Sequence, residues 1–273
     1  MKKKWQYLIL LILCVGIVTY GLQPSKKSKD QKVRMQGSTS MEELVNGLSE
    51  VIRGTYPDLL LEPQFTGSSA GIEAIASGVT DIGMSSRSLK QNEIDKGLIG
   101  HVVALDGMVM ITHPSNTVGN INKQQLRDIY LGKIRNWREV GGPDQNIVVL
   151  GRESGSGTRV VFEELLNITN ACKYAQELNE TGAVVAKVGS IPGAIGYVSL
   201  NVVNKTVKAL QYNHVGATVD SILSGKYVLQ RPYVLVTNGS LDAQSESVQA
   251  VFSFLKSDDG KSFLKKVGLV SPE

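Results

Sequence analysis

Four short runs of Gly, Ser and Thr in this chain each stand directly before a helical pattern: "GSTSMEEL" (37–44), "TGSSAGIEAI" (66–75), "SSRSLKQNEI" (85–94) and "GRESGSGTRVVF" (151–162). Strand-like apolar runs lie among them, including "LLLEPQF", "HVVALDGMVMITHP", "NIVVLG", "AIGYVSL" and "YVLVTN". The helical patterns are amphipathic: "SMEELVNGLSEVI" repeats Leu44, Leu48 and Ile52 at four-residue steps, and "NKQQLRDIYLG", "GTRVVFEELLN" and "SESVQAVFSFLKS" continue the series. A chain alternating strand, small-residue loop and helix fits an α/β protein with mixed sheets. With 273 residues and 42% hydrophobic content it can build one large domain or two ordinary ones without disulfide staples.

Two stretches read as internal boundaries: the turn-rich "THPSNTVGNINK" after an apolar run ending at Thr112, and the region of "IPGAIGYVSL". The expected organisation is a targeting segment and spacer over 1–32, a first lobe from 33–112 plus about 200–273, and a second lobe over about 113–199. The first segment carries Lys2 to Lys4, an apolar run from Trp5 to about Leu22, and the polar spacer "PSKKSKDQK". It reads as an export signal or anchor, so the folded part is expected on the outer face of the cytoplasmic membrane. An uncleaved anchor, lipidation at Cys14 and cleavage after Gly21 all stay open.

The formal charge of +4 is concentrated at that end, in Lys2, Lys3, Lys4, Lys26, Lys27, Lys29, Lys32 and Arg34. The remainder is slightly acidic, which leaves nucleic-acid binding without a basic face. Cys172 is the sole cysteine beyond the first segment and reads as a small buried hydrophobe; His101, His113 and His214 lack ligand spacing, so no metal site and no cofactor are implied. Trp137 in "GKIRNWREVGG" reads as packing, and Lys133, Arg135 and Arg138 as a solvated loop.

The four loops carry the chemistry. A helix start leaves backbone N–H groups unpaired and bears roughly half a positive charge, so an oxyanion docks there readily. Glycine lets the backbone approach, and short hydroxyls add donors. Some of these hydroxyls also fit a capping role: Ser40 with Glu43 and Ser88 with Gln91 have capping-box spacing. Arg87 and Arg152 add full charge and a fork that matches two oxyanion oxygens. No loop closes with "GK" followed by Ser or Thr and none reads GxGxxG, so a nucleotide fits poorly and a bare oxyanion fits well. An alternative of a different class is a serine hydrolase. "GSSAG" (67–71) matches a nucleophile elbow at Ser69, with His214 and Asp220 as nominal partners, but it leaves the other three loops unexplained.

With "GSTSM", "GSSAGI", "DIGMSSRSL", "GRESGSGTRVVF" and "GAIGYV" in this order, the chain from about residue 33 to 270 resembles the phosphate-binding proteins of ABC-type phosphate transporters, in the type II periplasmic-binding-protein family. The resemblance implies two α/β lobes around a ligand cleft, with the chain crossing twice. It also implies a non-enzymatic monomer that captures inorganic phosphate and hands it to ABC permease subunits, or serves as a phosphate sensor. Carried over by position, Thr39, Ser40, Ser68, Ser86 and Arg87 come from the first lobe, and Arg152, Ser156, Gly157 and Thr158 from the second, with Glu153 and Ser154 as supporting residues. One departure matters: where family members often carry an aspartate that accepts the proton of hydrogen phosphate, this chain has Ser86. Asp81, Asp106 or Glu153 could supply that acceptor; otherwise the rejection of sulfate is relaxed, which keeps another tetrahedral oxyanion as an alternative ligand.

Overall fold

The computed structural model describes residues 31–272. The expected export segment, and with it Cys14 and the choice between anchor, lipidation and cleavage, lies outside the described residues. No helix among the described residues is long and apolar enough to cross a membrane.

The alternation expected of an α/β protein is present. Strand β1 (Gln31–Gly37) leads through a 3-10 turn (Thr39–Met41) into α1 (Glu42–Val51), β2 (Leu59–Phe65) into α2 (Ser68–Ala76), and β3 (Ile82–Ser85) through the four-residue α3 (Gln91–Ile94) into β4 (Leu98–Thr112). After β5 (Asn120–Ile121) and α4 (Lys123–Tyr130) come β6 (Val148–Arg152), α5 (Gly157–Leu165), β7 (Gln176–Leu178), α6 (Thr181–Ser190) and β8 (Ala194–Ser199). Short strands β9 (Lys208–Ala209) and β10 (Gln211–Tyr212), α7 (Val219–Leu223), β11 (Gln230–Asn238), α8 (Glu246–Lys256) and α9 (Asp258–Lys266) complete the chain.

The sheet is mixed, in the order β2-β1-β3-β11-β4-β8-β6-β7, with β9 added to β4. Its outer ladders, β2-β1-β3 and β8-β6-β7, are parallel; β11 and β4 join them antiparallel. Strand β4 makes the continuity possible. Its first part, Leu98 to Gly107, pairs with β11, and its last part, Met108 to Thr112, pairs with β8.

Side-chain burial follows the same division. Strand residues Val33, Met35, Ile82 and Met84 pack with Leu44, Leu48, Phe252 and Leu255 from the inner faces of α1 and α8. A second core gathers Met108, Met110, Leu126, Tyr130, Trp137, Phe162 and Tyr197. Phe162 stacks on Tyr197 with ring centroids 4.0 Å apart, and Trp137 donates its indole N–H to Gly193 O at 2.9 Å, the packing role its surroundings suggested. Cys172 is half-buried rather than buried, and burial pushes its thiol up to about 11.

Leu210, Tyr212, Ile222, Tyr227 and Leu229 pack in the second core, and from Gln230 onward β11 pairs with the first part of β4. Strand β4 changes neighbour between Gly107 and Met108 with no turn residues to mark the change.

Candidate oxyanion site

All four helix-start loops place hydroxyls together. Gly37 ends β1, and Ser38 N–H donates to Met84 O at 2.9 Å, which turns the chain into the "STSM" segment. Ser38 Oγ then lies 2.9 Å from Ser40 Oγ and 3.0 Å from Ser86 Oγ. Ser86 Oγ is also 3.3 Å from Ser68 Oγ and 3.5 Å from Thr158 Oγ1, while Ser86 N–H donates to Ser68 Oγ at 3.1 Å. Ser38, Ser40, Ser68, Ser86 and Thr158 are all buried. Water is kept from these hydroxyls, so each unmade bond is costly and each made bond is strong.

The helix geometry explains why these side chains are available. Ser40 is not a cap: the residue before α1 is Met41, and no side chain caps it. Gly67 precedes α2 at φ 93°, a conformation that favours glycine, and it too leaves the helix start uncapped. Ser88 is likewise no cap, since Glu93 Oε2 accepts the Lys90 N–H at 2.8 Å in front of α3. Ser156 does cap α5, accepting the Arg159 N–H at 3.4 Å, and Ser154 is exposed. Gly157 then presses its backbone onto the cluster; a Cβ there would stand 2.5 Å from Ser68 Oγ and 2.8 Å from Ser86 Oγ.

The loop Glu153–Gly155 closes over the start of α2. Gly155 O accepts the Ser69 N–H at 3.0 Å, and a Cβ on Gly67 would stand 3.1 Å from Glu153 Oε1. Ser69 is thus engaged through its backbone. His214, nominated as a catalytic partner, sits in the Tyr212–Val215 turn, where its N–H donates to Asn120 Oδ1 at 2.6 Å. No triad forms among these residues.

Three buried arginines surround the cluster, each with its own carboxylate. Arg87 turns away: its guanidinium holds Glu93 at 2.8 and 2.7 Å and Ser88 O at 2.9 Å. Burial pushes the Glu93 carboxyl up, but the hydrogen bonds from Arg87 and the Lys90 N–H, with the Arg87 charge, carry it below the usual range. Arg152 is spread over Glu153, at 3.1 Å to each oxygen, Leu178 O, Asn179 O and Thr181 Oγ1. Thr181 Oγ1 in turn lies 3.2 Å from Thr39 Oγ1, so Thr39 joins the Arg152 arm and not the five hydroxyls. A groove of about 730 Å³ opens beside this pair, lined also by Glu43, Asn201 and Thr206. Burial pushes the Glu153 carboxyl up despite Arg152 beside it, and pushes the Arg152 guanidinium down.

The third arginine was not singled out from the sequence. Arg231, 1% exposed, donates Nε to Asp106 Oδ2 at 2.9 Å and Nη1 to Thr158 Oγ1. Asp106 is fully buried, accepts the Ser199 hydroxyl at 2.6 Å, and is raised by burial against the opposing pull of Arg231. Of the three acids considered as proton acceptors, Asp81 pairs with Arg34 at the surface, Glu153 is clasped by Arg152 and Asp106 by Arg231. No hydrogen bond joins any of the three to the five hydroxyls. Ser38 and Thr181 were also missed, although Ser38 stood inside a quoted loop; an arginine interrupting the apolar run "VLQRPYVLV" was the available signal for Arg231.

A family model described as the PBP superfamily domain matches residues 23–259. The chain belongs to the PBP superfamily. Within this superfamily, "Phosphate-binding protein PstS" of Borreliella burgdorferi is 28% identical over 274 residues, spanning 96% of this chain and 98% of the relative. "Phosphate-binding protein PstS" of Bacillus subtilis is 29% identical over 277 residues, spanning 95% and 91%. A Clostridium perfringens member solved with bound phosphate is 35% identical with a TM-score of 0.85, covering 89% of this chain and all (100%) of the other. These relatives bear out the resemblance read from the motifs and the type II fold, and they carry names of binding proteins rather than enzymes.

Proposed function

We propose that this chain is an exported solute-binding protein that captures inorganic phosphate between two lobes and delivers it to an ABC permease. The observation that carries this reading is the convergence of five buried hydroxyls, Ser38, Ser40, Ser68 and Ser86 from the loops after β1, β2 and β3 and Thr158 from the start of α5. The lobes are assigned as 31–107 with 230–272, and 108–229, at the point where β4 changes its neighbour from β11 to β8; Leu105 and Val270 of the first lobe pack on the second core. The anion docks on the helix starts of the first lobe. Closure then brings the Thr158 hydroxyl, the Gly157 N–H and the start of α5, while the Gly155 carbonyl meets the Ser69 N–H and latches the pair.

Thr39 lines the groove of about 730 Å³ and is joined through Thr181 to the Arg152–Glu153 pair beside the site. Arg87 acts at a distance by fixing the "SSRS" loop. The N-terminal segment tethers the protein to the outer face of the membrane, and the protein works as a monomer. The test is calorimetric titration of protein stripped of carried-over anion, with phosphate and then with sulfate in competition. Phosphate binding carries the reading; no binding of either anion removes it. A second reading, a site for tetrahedral oxyanions more generally, is favoured by the lack of any carboxylate hydrogen-bonded to the five hydroxyls, and sulfate binding of equal strength would establish it.

A further inference from the structure

Arg231 and Asp106 face each other across the antiparallel β11–β4 pair, on the two strands by which the chain passes between its cores. Both are sealed from solvent, and each is held from several sides. Asp106 takes the Ser199 hydroxyl as well as Arg231; Tyr233 Oη lies 2.9 Å from Ser199 Oγ and 2.5 Å from Ser40 O; and the Arg231 guanidinium sits 5.4 Å over the Tyr233 ring. The guanidinium therefore has one orientation, set by strand register.

That orientation has a chemical consequence at Thr158. A guanidinium only donates, so Thr158 Oγ1 must be the acceptor of the Arg231 Nη1 hydrogen bond. The Thr158 proton is then excluded from that side and is left for the side of the hydroxyl cluster, where Ser86 Oγ is 3.5 Å away and either hydroxyl can donate. Arg231 Nη2 lies 2.9 Å from Asp106 Oδ2 but off the line that a hydrogen bond needs, leaving a buried donor unpartnered among the described residues. Arg152 by comparison is engaged by four residues, and Arg87 points its fork at Glu93.

We infer that Arg231 is a positioning residue of the oxyanion site, aimed by Asp106, and that it makes the Thr158 hydroxyl a one-way donor to the bound anion. The inference rests on the reading of the five hydroxyls as that site. It also makes the strands that carry the chain between cores part of the recognition machinery: Thr158 meets Arg231 only when the second core is seated against the first. Because Asp106 balances the guanidinium charge, the anion is met by polarised hydroxyl and amide dipoles rather than by a free cation.

The experiment is phosphate titration of the full chain and of Thr158→Val, Arg231→Gln, the double variant of these two, and the charge-free pair Asp106→Asn with Arg231→Gln. The expected result is phosphate binding by the wild type, about 10- to 100-fold weaker binding in each single variant, and no further loss in the double variant beyond Arg231→Gln alone. A purely structural Arg231 would lower stability, yet its effect on affinity would multiply with that of Thr158→Val; that outcome overturns the inference, as does wild-type affinity in Arg231→Gln. If Arg231→Gln alone does not fold, the charge-free pair, which leaves no unpaired buried charge, carries the test: the same loss supports the inference and wild-type affinity overturns it. A wild type that binds neither phosphate nor sulfate overturns the reading of the site itself, a failure distinct from a wild type that binds and an Arg231→Gln that binds equally well.

Discussion

Arg152 and Arg231 are both buried and both paired with a carboxylate, but their partners differ in kind. Glu153 is the next residue in the chain, sits on a loop, and has a side chain 26% exposed. Asp106 lies 125 residues away, is reached across a sheet ladder, and is fully enclosed. A loop pair can relax toward water when one member is lost; a strand pair cannot. The comparison teaches that the same charge pairing can be an adjustable rim contact in one place and a fixed part of the scaffold in another.

The largest test of that contrast is stability. Asp106→Ala leaves the Arg231 charge buried without a counter-ion and is expected to cost about 3–5 kcal/mol in urea unfolding, whereas Glu153→Ala, which leaves Arg152 donating to Leu178 O, Asn179 O and Thr181 Oγ1, is expected to cost less, about 1–2 kcal/mol. Similar losses in the two variants would erase the distinction. Next comes Gly157→Ala, whose methyl group would meet Ser68 Oγ at 2.5 Å; overpacking of about 1–3 kcal/mol and a clear loss of phosphate affinity are expected together.

A smaller effect separates the rim from the cluster. Arg152→Ala is expected to weaken phosphate binding about 10- to 100-fold, because it removes the guanidinium that ties Glu153, Leu178 O, Asn179 O and Thr181 together beside the cluster, and Ser40→Ala only severalfold, because it removes one neutral donor. Equal small losses would argue that neither belongs to the site. The smallest effect is in pH dependence, where two arginine-bound acids should slope in opposite directions. Glu93 is lowered in the folded protein, so its contribution is present above the ordinary carboxylate value of 4.5 and is lost as pH falls through the lowered folded value. Glu153 is raised, so folding is favoured by its protonated form and loses stability as pH rises from 4.5 through the raised folded value. Urea unfolding of Glu93→Gln and Glu153→Gln against the wild type, from about pH 3 to 7, should show differences that move in opposite senses; parallel differences would contradict the geometry of one pair.

Much of this architecture was open to reading in the amino-acid order, because it depends on local chemistry. Leu44 and Leu48 repeat at helical spacing and do line the inner face of α1. Gly67 and Gly157 mark two places by the site, one where the backbone takes a positive φ and one where it touches neighbouring hydroxyls, and glycine is what such places require. Ser40, Ser68, Ser86 and Thr158 were named for their position at helix starts, and the fold brings all four together.

What tertiary structure alone decided is which groups face each other. The choice between a hydroxyl that caps and a hydroxyl that faces the site separates Ser156 from Thr158, two residues apart, and turns on the direction in which α5 leaves its loop. The contacts of Arg87 and Arg231 were likewise set by the fold, one held by Glu93 and the other meeting Thr158. Helix starts follow from propensities within a few residues, so the sequence by itself determined where the hydroxyl-bearing loops would stand; contacts between strands follow from sheet register over more than a hundred residues, so only the folded chain could choose the arginine that meets Thr158.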